Sequence, residues 1–81
     1  MQPNDIKQLI KNHLTHAEVH VVGDDGVHFE AHVVSNEFNG ISRVSRERMV
    51  HDALGKHFET GAIHALSIKT FTPEEWNHKN N

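Results

Sequence analysis

Residues 27–33, Val-His-Phe-Glu-Ala-His-Val, alternate strictly between apolar and polar side chains. Successive side chains of a β-strand point to opposite faces of a sheet, so this alternation predicts a strand with one buried and one wet face. Residues 19–22, Val-His-Val-Val, predict another strand just before it, and the turn-forming residues 23–26, Gly-Asp-Asp-Gly, separate the two. These patterns together predict a β-hairpin.

The register of this hairpin follows from parity, because residues opposite each other in an antiparallel pair point to the same face. A three-residue loop over Asp24–Gly26 places Val21 opposite Phe29 and keeps one face apolar, whereas a two-residue loop would mix the faces. The next apolar pair is then Val19 with Ala31. Such a loop also puts its glycine where three-residue hairpins need a left-handed residue. The wet face is predicted to carry His20, His28 and His32.

Helical periodicity precedes the hairpin and follows it. A first helix is predicted from Asn4 and Asp5 to about His16, with its apolar side formed by Ile6, Leu9, Ile10 and Leu14. After a turn at 38–40, residues 41–44 predict one helical turn. A longer helix is then expected from Ser45 to Thr60–Gly61, and its apolar stripe is Met49, Val50, Ala53, Leu54 and Phe58.

The last third of the chain predicts a strand and a helix. Residues 63–71 predict a third strand, with Leu66 and Ile68 on one face and Ser67 and Lys69 on the other. Residues 72–75, Thr-Pro-Glu-Glu, have the form of a capping box with proline at the first helical position, and Phe71 with Trp76 would form a hydrophobic staple. A short terminal helix is expected, with residues 77–81 as a frayed tail.

The predicted element order is helix, strand, strand, helix, strand, helix, in a single domain over residues 1–81. A helix connects the second strand to the third, so these strands are expected to be parallel and joined by a right-handed crossover. The fold class is therefore α+β: a three-stranded mixed sheet with helices packed on one face.

Composition excludes several classes of protein. The 81 residues contain nine histidines and no cysteine, so the chain has neither a disulfide nor a thiolate-ligated metal site of its own. The formal net charge of −3 argues against a generic nucleic-acid binder. We find no membrane span and no basic-then-apolar leader, and we expect a cytoplasmic protein.

No catalytic constellation emerges from the sequence, so we do not expect an enzyme. Among the histidines, His28 and His32 share a strand face but are about 13 Å apart by strand rise, too far to hold one ion. His28 and His64 lie near the starts of two strands predicted to be parallel, where a metal centre could reach both. The parity of His64 with Leu66 and Ile68, however, turns its side chain toward the helices and favours a partly buried structural histidine. A low-affinity metal binder using several dispersed histidines is a further alternative.

Three arginines, Arg43, Arg46 and Arg48, cluster near the start of the long helix. Such a cluster can contact the phosphates of DNA, although Glu47 interrupts it and an ordinary solvated face is the competing interpretation. The element order also suits a KH-type RNA-binding module. That module needs a G-x-x-G loop, and Gly40 is followed three residues later by Arg43, so the clamp is missing.

Four motifs together resemble the BolA family, and in particular its bacterial IbaG-like branch. They are Phe-Asn-Gly at 38–40, Arg-Glu-Arg-Met-Val at 46–50, Ile-His-Ala-Leu-Ser-Ile-Lys-Thr at 63–70 and Thr-Pro-Glu-Glu-Trp at 72–76. They occur in the family's order and at its spacing, and the resemblance extends over nearly the whole chain.

The resemblance implies a class II KH-like fold and a monothiol glutaredoxin as partner. In such pairs a [2Fe–2S] cluster is shared, with thiolates from the glutaredoxin and from glutathione, and histidine ligands from the BolA-like protein. His64 matches the strand histidine of the family, and His28 occupies the position of the second ligand in some members. Phe38, Gly40 and His64 are expected at the partner interface. The implied roles are cluster trafficking and iron or stress signalling, and a homodimer of the isolated chain is left open.

Two departures from the family pattern matter. The ligand-bearing loop is often longer in the family than Asp24–Gly26 here, which weakens the assignment of His28. Members often have Arg-His-Arg where this chain has Arg-Glu-Arg at 46–48. The carboxylate of Glu47 weakens the DNA-binding role attributed to some relatives. A KH-like DNA-binding regulator nevertheless remains the alternative function.

Overall fold

The structure is a computed structural model that describes residues 1–23, 25, 28–61, 63 and 65–80, with the backbone alone for Phe58. Three strands form one sheet in the order β1-β2-β3, with β1 antiparallel and β3 parallel to the central strand. This confirms the predicted α+β class and the mixed sheet. The elements are α1 (Pro3–His13), β1 (Glu18–Val22), β2 (His28–Val34), a 3-10 turn (Asn36–Phe38), α2 (Arg43–Leu54), α3 (Lys56–Glu59), β3 (Ala65–Phe71) and α4 (Pro73–Asn80).

The core lies between one face of the sheet and the helices α1 and α2. The alternation of β2 determines this face, because Phe29, Ala31 and Val33 are all at most 4% exposed. The helices cover them with aliphatic side chains that are at most 1% exposed, namely Ile6, Ile10, Val50 and Leu54. At about 25 cal/mol per Å² of apolar area, burial of these side chains is the main stabilising contribution in so small a domain.

The hairpin keeps the predicted parity but not the predicted register. Val21 lies opposite Ala31 rather than Phe29, and Val19 lies opposite Val33. The pairing is therefore shifted by two residues, which leaves the same side chains on each face. The ladder ends at the pair of Val22 with Glu30, and beyond it Oδ1 of Asp25 accepts a hydrogen bond from the backbone N–H of His28 at 2.8 Å. The other loop residues of the prediction, Asp24 and Gly26, lie outside the described residues.

Helix ends differ from the predictions where a specific hydrogen bond sets them. Ser42 Oγ accepts from the N–H of Ser45 at 3.2 Å, so α2 begins at Arg43 and the separate turn predicted at 41–44 is wrong. Helix α1 begins at Pro3, after Gln2, and ends at His13 rather than near His16. Gly55, at φ +27°, ends α2 earlier than predicted, and the one-turn α3 follows.

Strand β3 begins at Ala65 and not at Ile63. The N–H of Ile63 donates to the carbonyl of His57 at 3.1 Å, and its side chain is 2% exposed, so Ile63 fills the core from a loop. The capping box of α4 is confirmed: Thr72 Oγ1 accepts from the N–H of Glu75, and Glu75 Oε1 accepts from the N–H of Thr72. Helix α4 continues to Asn80, into the predicted tail.

The expectation that all helices pack on one face is wrong for α4. Its Trp76 ring stacks on the ring of His20 at a centroid distance of 5.4 Å and contacts the ring of His32 edge-on at 5.9 Å. These histidines are register partners on the face opposite the core. The predicted staple is present as well, with the rings of Phe71 and Trp76 5.1 Å apart. Trp76 therefore covers part of the face that the sequence predicted to be wet.

Candidate functional site at the strand ends

His28 begins β2 and is the most exposed histidine of the sheet, with 73% of its side chain accessible. Its Nδ1 lies 2.7 Å from Oδ2 of Asp25, whose Oδ1 holds the backbone N–H of the same histidine. With the proton on Nδ1 shared with the carboxylate, the lone pair of a neutral imidazole is on Nε2. A carboxylate that orients a histidine in this way is the usual second-shell partner of a metal ligand.

The backbone brings the start of β3 next to His28. Ala65, the first residue of β3, is the register partner of His28 in the parallel pair. The predicted meeting of the two strand starts at one edge of the sheet is therefore confirmed. His64 precedes Ala65 in the sequence but lies outside the described residues, so its role as a ligand and as an interface residue stays a prediction.

The other two histidines on this face of the hairpin are engaged by neighbours. His20 Nε2 lies 2.6 Å from Glu18 Oε2 beneath the Trp76 ring. His32 Nε2 lies 3.2 Å from Glu30 Oε2, and its side chain is 20% exposed. The hydrogen bonds from His32 and then from Lys69 hold the pKa of Glu30 below its ordinary value. These contacts make His20 and His32 poorer ligand candidates than His28.

The described residues form no group of three or more His, Asp or Glu side chains able to hold a metal ion. A complete ligand set within this part of the chain is therefore absent. The exposed imidazole of His28, held by the carboxylate of Asp25, could serve as one ligand of a metal site whose other ligands come from a second molecule.

An open cleft of about 610 Å³ lies beside His28 and is lined also by Pro3, Val22, Gly23, Phe29 and Glu30. Val22 is 60% exposed and contributes apolar surface to this cleft. Gly23 allows close packing here, because a Cβ at this position would lie 2.6 Å from Phe29 Cδ1. An apolar surface next to a ligand-type histidine is suited to contact with a partner protein.

Sequence reasoning missed Asp25 and Val22 as members of this site. The sequence indicates only a turn at 23–26, so nothing in it showed that the carboxylate of Asp25 holds His28. Val22 did leave a signal in the sequence. It follows Val21 directly and so interrupts the alternation of β1, which places one apolar side chain on the wet face.

The arginine cluster does not form one surface. Arg46 is 6% exposed, and its Nη1 lies 2.7 Å from Glu75 Oε1. Its Nε donates to the carbonyl of Ile41 at 2.8 Å, and its guanidinium lies over the Phe38 ring at 5.8 Å. The structure therefore removes Arg46 from the predicted DNA-contacting set, because it links α2 to α4. Arg43 and Arg48 remain exposed.

Two residues of the predicted partner interface differ in accessibility. Phe38 is 0% exposed beneath Arg46, so it belongs to the core and its expected direct contact with a partner is wrong. Gly40 is exposed with φ +76°, and a Cβ there would meet nothing within 4 Å. The motif at 38–40 thus anchors the turn through Phe38 and presents only its glycine to the surface.

Helices of the described chain are all too short or too polar to cross a membrane.

Comparison with known proteins is consistent with this architecture. The family described as BolA-like protein matches residues 3–75. The acid stress protein IbaG of Escherichia coli K12 is 42% identical over 76 residues, which cover 94% of this chain and 89% of the relative. A bolA homologue from Coxiella burnetii superposes with a TM-score of 0.84 at 44% identity, covering 95% of this chain and 97% of that one. The BolA domain of SufE1 from Arabidopsis thaliana gives a TM-score of 0.76 at 35% identity, with 90% and 93% covered.

Proposed function

Since the chain belongs to the BolA family, we propose that it is a non-enzymatic adaptor that binds a monothiol glutaredoxin and shares a [2Fe–2S] cluster with it. The observation that carries the proposal is His28, an exposed imidazole at the end of the sheet whose Nδ1 is held by Asp25. Its register partner Ala65 directly follows His64, the other ligand in the proposal.

The residues fit a cluster that is shared rather than enclosed. The chain has no cysteine, so thiolate ligands must come from the glutaredoxin and glutathione. Histidine ligation raises the potential of a [2Fe–2S] centre relative to all-cysteine ligation. A histidine must also be deprotonated to bind, which makes such a cluster labile in acid. Both properties suit a cargo that is passed on or sensed.

Acid lability also gives a physical reason for a role in stress. The Escherichia coli relative is named an acid stress protein. A proton competes with iron for the nitrogen of an imidazole, so acid weakens histidine ligation. We therefore include acid or iron stress signalling in the proposal.

Co-expression with a cytosolic monothiol glutaredoxin tests this function through the visible absorption and circular dichroism of the purified complex. His64→Ala and His28→Ala are each expected to abolish or alter the cluster spectrum. His78→Ala is the matched control, because its side chain is 81% exposed and lies on α4. An unchanged spectrum in His64→Ala would show that the ligand assignment is wrong.

Asp25→Asn tests the part of the site that the structure contributes. Loss of the carboxylate that orients His28 is expected to make the cluster about 10-fold or more easier to lose to a chelator. Calorimetric titration of the two cluster-free proteins separates partner binding from ligation. If His28→Ala, His64→Ala and Asp25→Asn still bind the glutaredoxin, these residues act on the cluster and not on partner binding. If the wild-type protein does not bind the glutaredoxin at all, the adaptor function is excluded.

The alternative of a DNA-binding regulator predicts salt-dependent retention on DNA that weakens in Arg43→Ala and Arg48→Ala. Because Arg46 is buried, the DNA-binding alternative has only Arg43 and Arg48 of the predicted cluster, one on each side of Glu47 in the sequence. Retention at moderate salt without any glutaredoxin binding would favour this alternative over the adaptor.

A further inference from the structure

One edge of the sheet is open along β3. In the described part of the chain β3 pairs with β2 alone. The carbonyl of Phe71 accepts from the N–H of Ser35, directly after β2, at 3.0 Å. The N–H and C=O of one strand residue point to the same side, and this side alternates along the strand. The backbone groups of Leu66, Ile68 and Thr70 therefore face away from β2.

A cleft of about 330 Å³ lies along this edge, and residues 68–71 form its floor. Arg43 and Glu47 line it from α2, where a spacing of four residues places both on the same side of the helix. Lys79 lines it from α4. The lining side chains thus include three cations, with Lys69 as the third, and a single carboxylate.

The cations lie on both faces of the strand edge. Ile68 is the register partner of Ala31 on the core face, the face covered by α2 with its Arg43. Phe71 lies on the opposite face, and Lys79 Nζ is 5.4 Å from the centre of its ring. Lys69 is on that face as well but pairs with Glu30 at 3.4 Å. An added strand would therefore meet Arg43 on one face and Lys79 on the other.

We propose that this edge binds an extended acidic segment of a partner protein, which adds to the sheet as a fourth strand beside β3. Side chains of an extended peptide alternate between faces. Two neighbouring carboxylates of the segment would therefore point to opposite faces, one to Arg43 and the next to Lys79. The peptide backbone would pair with the outward N–H and C=O groups, as in other cases of strand addition.

A peptide fits this edge better than a nucleic acid. The edge presents both backbone donors and acceptors, whereas a phosphate backbone offers acceptors alone. A second copy of this chain fits less well, because pairing of two β3 edges would bring together two clefts with an excess of cations. Lysines beside an open strand are a known means of preventing such self-pairing.

The proposed surface is separate from the site of the adaptor function. Ala65 faces His28, and Thr70 lies about 16 Å further along β3 at 3.3 Å per residue. Failure of peptide binding would thus leave the glutaredoxin proposal untouched, and the reverse also holds.

Fluorescence polarisation with a labelled peptide tests the proposal. The peptide has nine residues and blocked ends, and it alternates threonine and valine with two adjacent glutamates at its centre. Replacing both glutamates by glutamine is expected to weaken binding at least fivefold. Arg43→Gln and Lys79→Gln are each expected to weaken it about threefold, the range of a partly exposed ion pair. Arg48→Gln is the matched control on α2 and should leave binding unchanged.

Strand addition has a signature that simple charge attraction lacks. Methylation of successive peptide nitrogens should weaken binding at every second position only, because alternate N–H groups face β3. The amides of Leu66 and Ile68 should become protected from hydrogen exchange when the peptide binds, whereas Thr70 is already only 6% exposed. A uniform response to methylation, equal binding of the glutamine peptide, or displacement of the peptide by a single-stranded oligonucleotide at stoichiometric concentration would each overturn the proposal. Concentration-dependent dimerisation that blocks the peptide would instead assign the edge to a second copy.

Discussion

Replacement of Glu75 by glutamine is expected to destabilise the protein by about 2 kcal/mol, far more than most surface substitutions. The reason is that Glu75 is the ionic partner of Arg46, at 2.7 Å, and Arg46 is 6% exposed. Glutamine keeps a carbonyl oxygen that can accept the N–H of Thr72, so the cap of α4 survives and the charge alone is lost. The guanidinium then stays in the interior without a counter-ion.

The magnitude follows from the exposure of the two partners. Removing one partner of a buried ion pair typically costs about 3–5 kcal/mol. The side chain of Glu75 is 40% exposed, so water already screens part of the interaction and we take about half of that cost. In a domain of this size 1 kcal/mol corresponds to about 4–8 °C in the unfolding midpoint. The midpoint is therefore expected to fall by about 8–16 °C.

Urea unfolding followed by far-ultraviolet circular dichroism measures this change in the free energy of unfolding. Glu74→Gln is the matched control, because it lies in the same turn, is 88% exposed and reaches His78 only at 4.0 Å. The double variant with Arg46→Met removes the unpaired charge as well. It should be more stable than the sum of the two single effects predicts, by about 1 kcal/mol or more. The reasoning is refuted if Glu75→Gln matches Glu74→Gln, or if the effects simply add.

Three further predictions concern other contacts. The N–H of Thr72, and then Arg46, hold the pKa of Glu75 below its ordinary value of 4.5. The stabilisation by this carboxylate is therefore present above about pH 4.5 and is lost as the pH falls through the folded-state pKa. In acid unfolding, the free energy of unfolding of Glu75→Gln should therefore change less with pH in this range than that of wild type. Gly23→Ala should lower the free energy of unfolding, measured by thermal unfolding, by about 1–3 kcal/mol. The reason is that the new Cβ would lie 2.6 Å from Phe29 Cδ1 and 2.7 Å from the carbonyl of His28. An unchanged stability would show that the hairpin backbone shifts to accommodate the Cβ. Trp76→Ala should lower the free energy of unfolding by about 2 kcal/mol, because the half-buried ring contacts His20, His32 and Phe71. The NMR chemical shifts of the His20 ring protons should also change in this variant. Unchanged shifts would contradict the packing of α4 on this face of the sheet.

Local patterns predicted the elements and their faces, because the two-residue period of a strand and the capping box of α4 are encoded within a few residues. They did not predict the hairpin register or the start of α2, because features of this kind are set by individual side-chain contacts. The two-residue shift of the hairpin register accompanies the bond between Asp25 and His28, and the earlier start of α2 accompanies the cap by Ser42. Both shifts preserve the faces, so hydrophobic periodicity cannot distinguish them from the predicted alternatives.

Burial of charged and aromatic groups was the other limit. A cluster of arginines in sequence indicates a basic surface, but Glu75, which pairs with Arg46, is 29 residues away in the chain. The burial of Phe38 beneath that arginine is equally non-local. The motif at 38–40 therefore marks a structural anchor.

The position of α4 also changes how the histidines of the sheet compare as ligands. Parity placed His20, His28 and His32 on one face, and His28 was favoured by its place at a strand start next to that of His64 and by the resemblance. Trp76 distinguishes them, because it stacks on His20 and contacts His32, while each of these rings also lies beside its own glutamate. His28 lies beyond this cover, at the end of the strand, with its Nδ1 occupied and most of its side chain accessible. A metal shared with another protein needs an imidazole that is oriented by its own chain and reachable from outside. Among these three histidines His28 meets both conditions best, with 73% of its side chain accessible against 51% for His20 and 20% for His32.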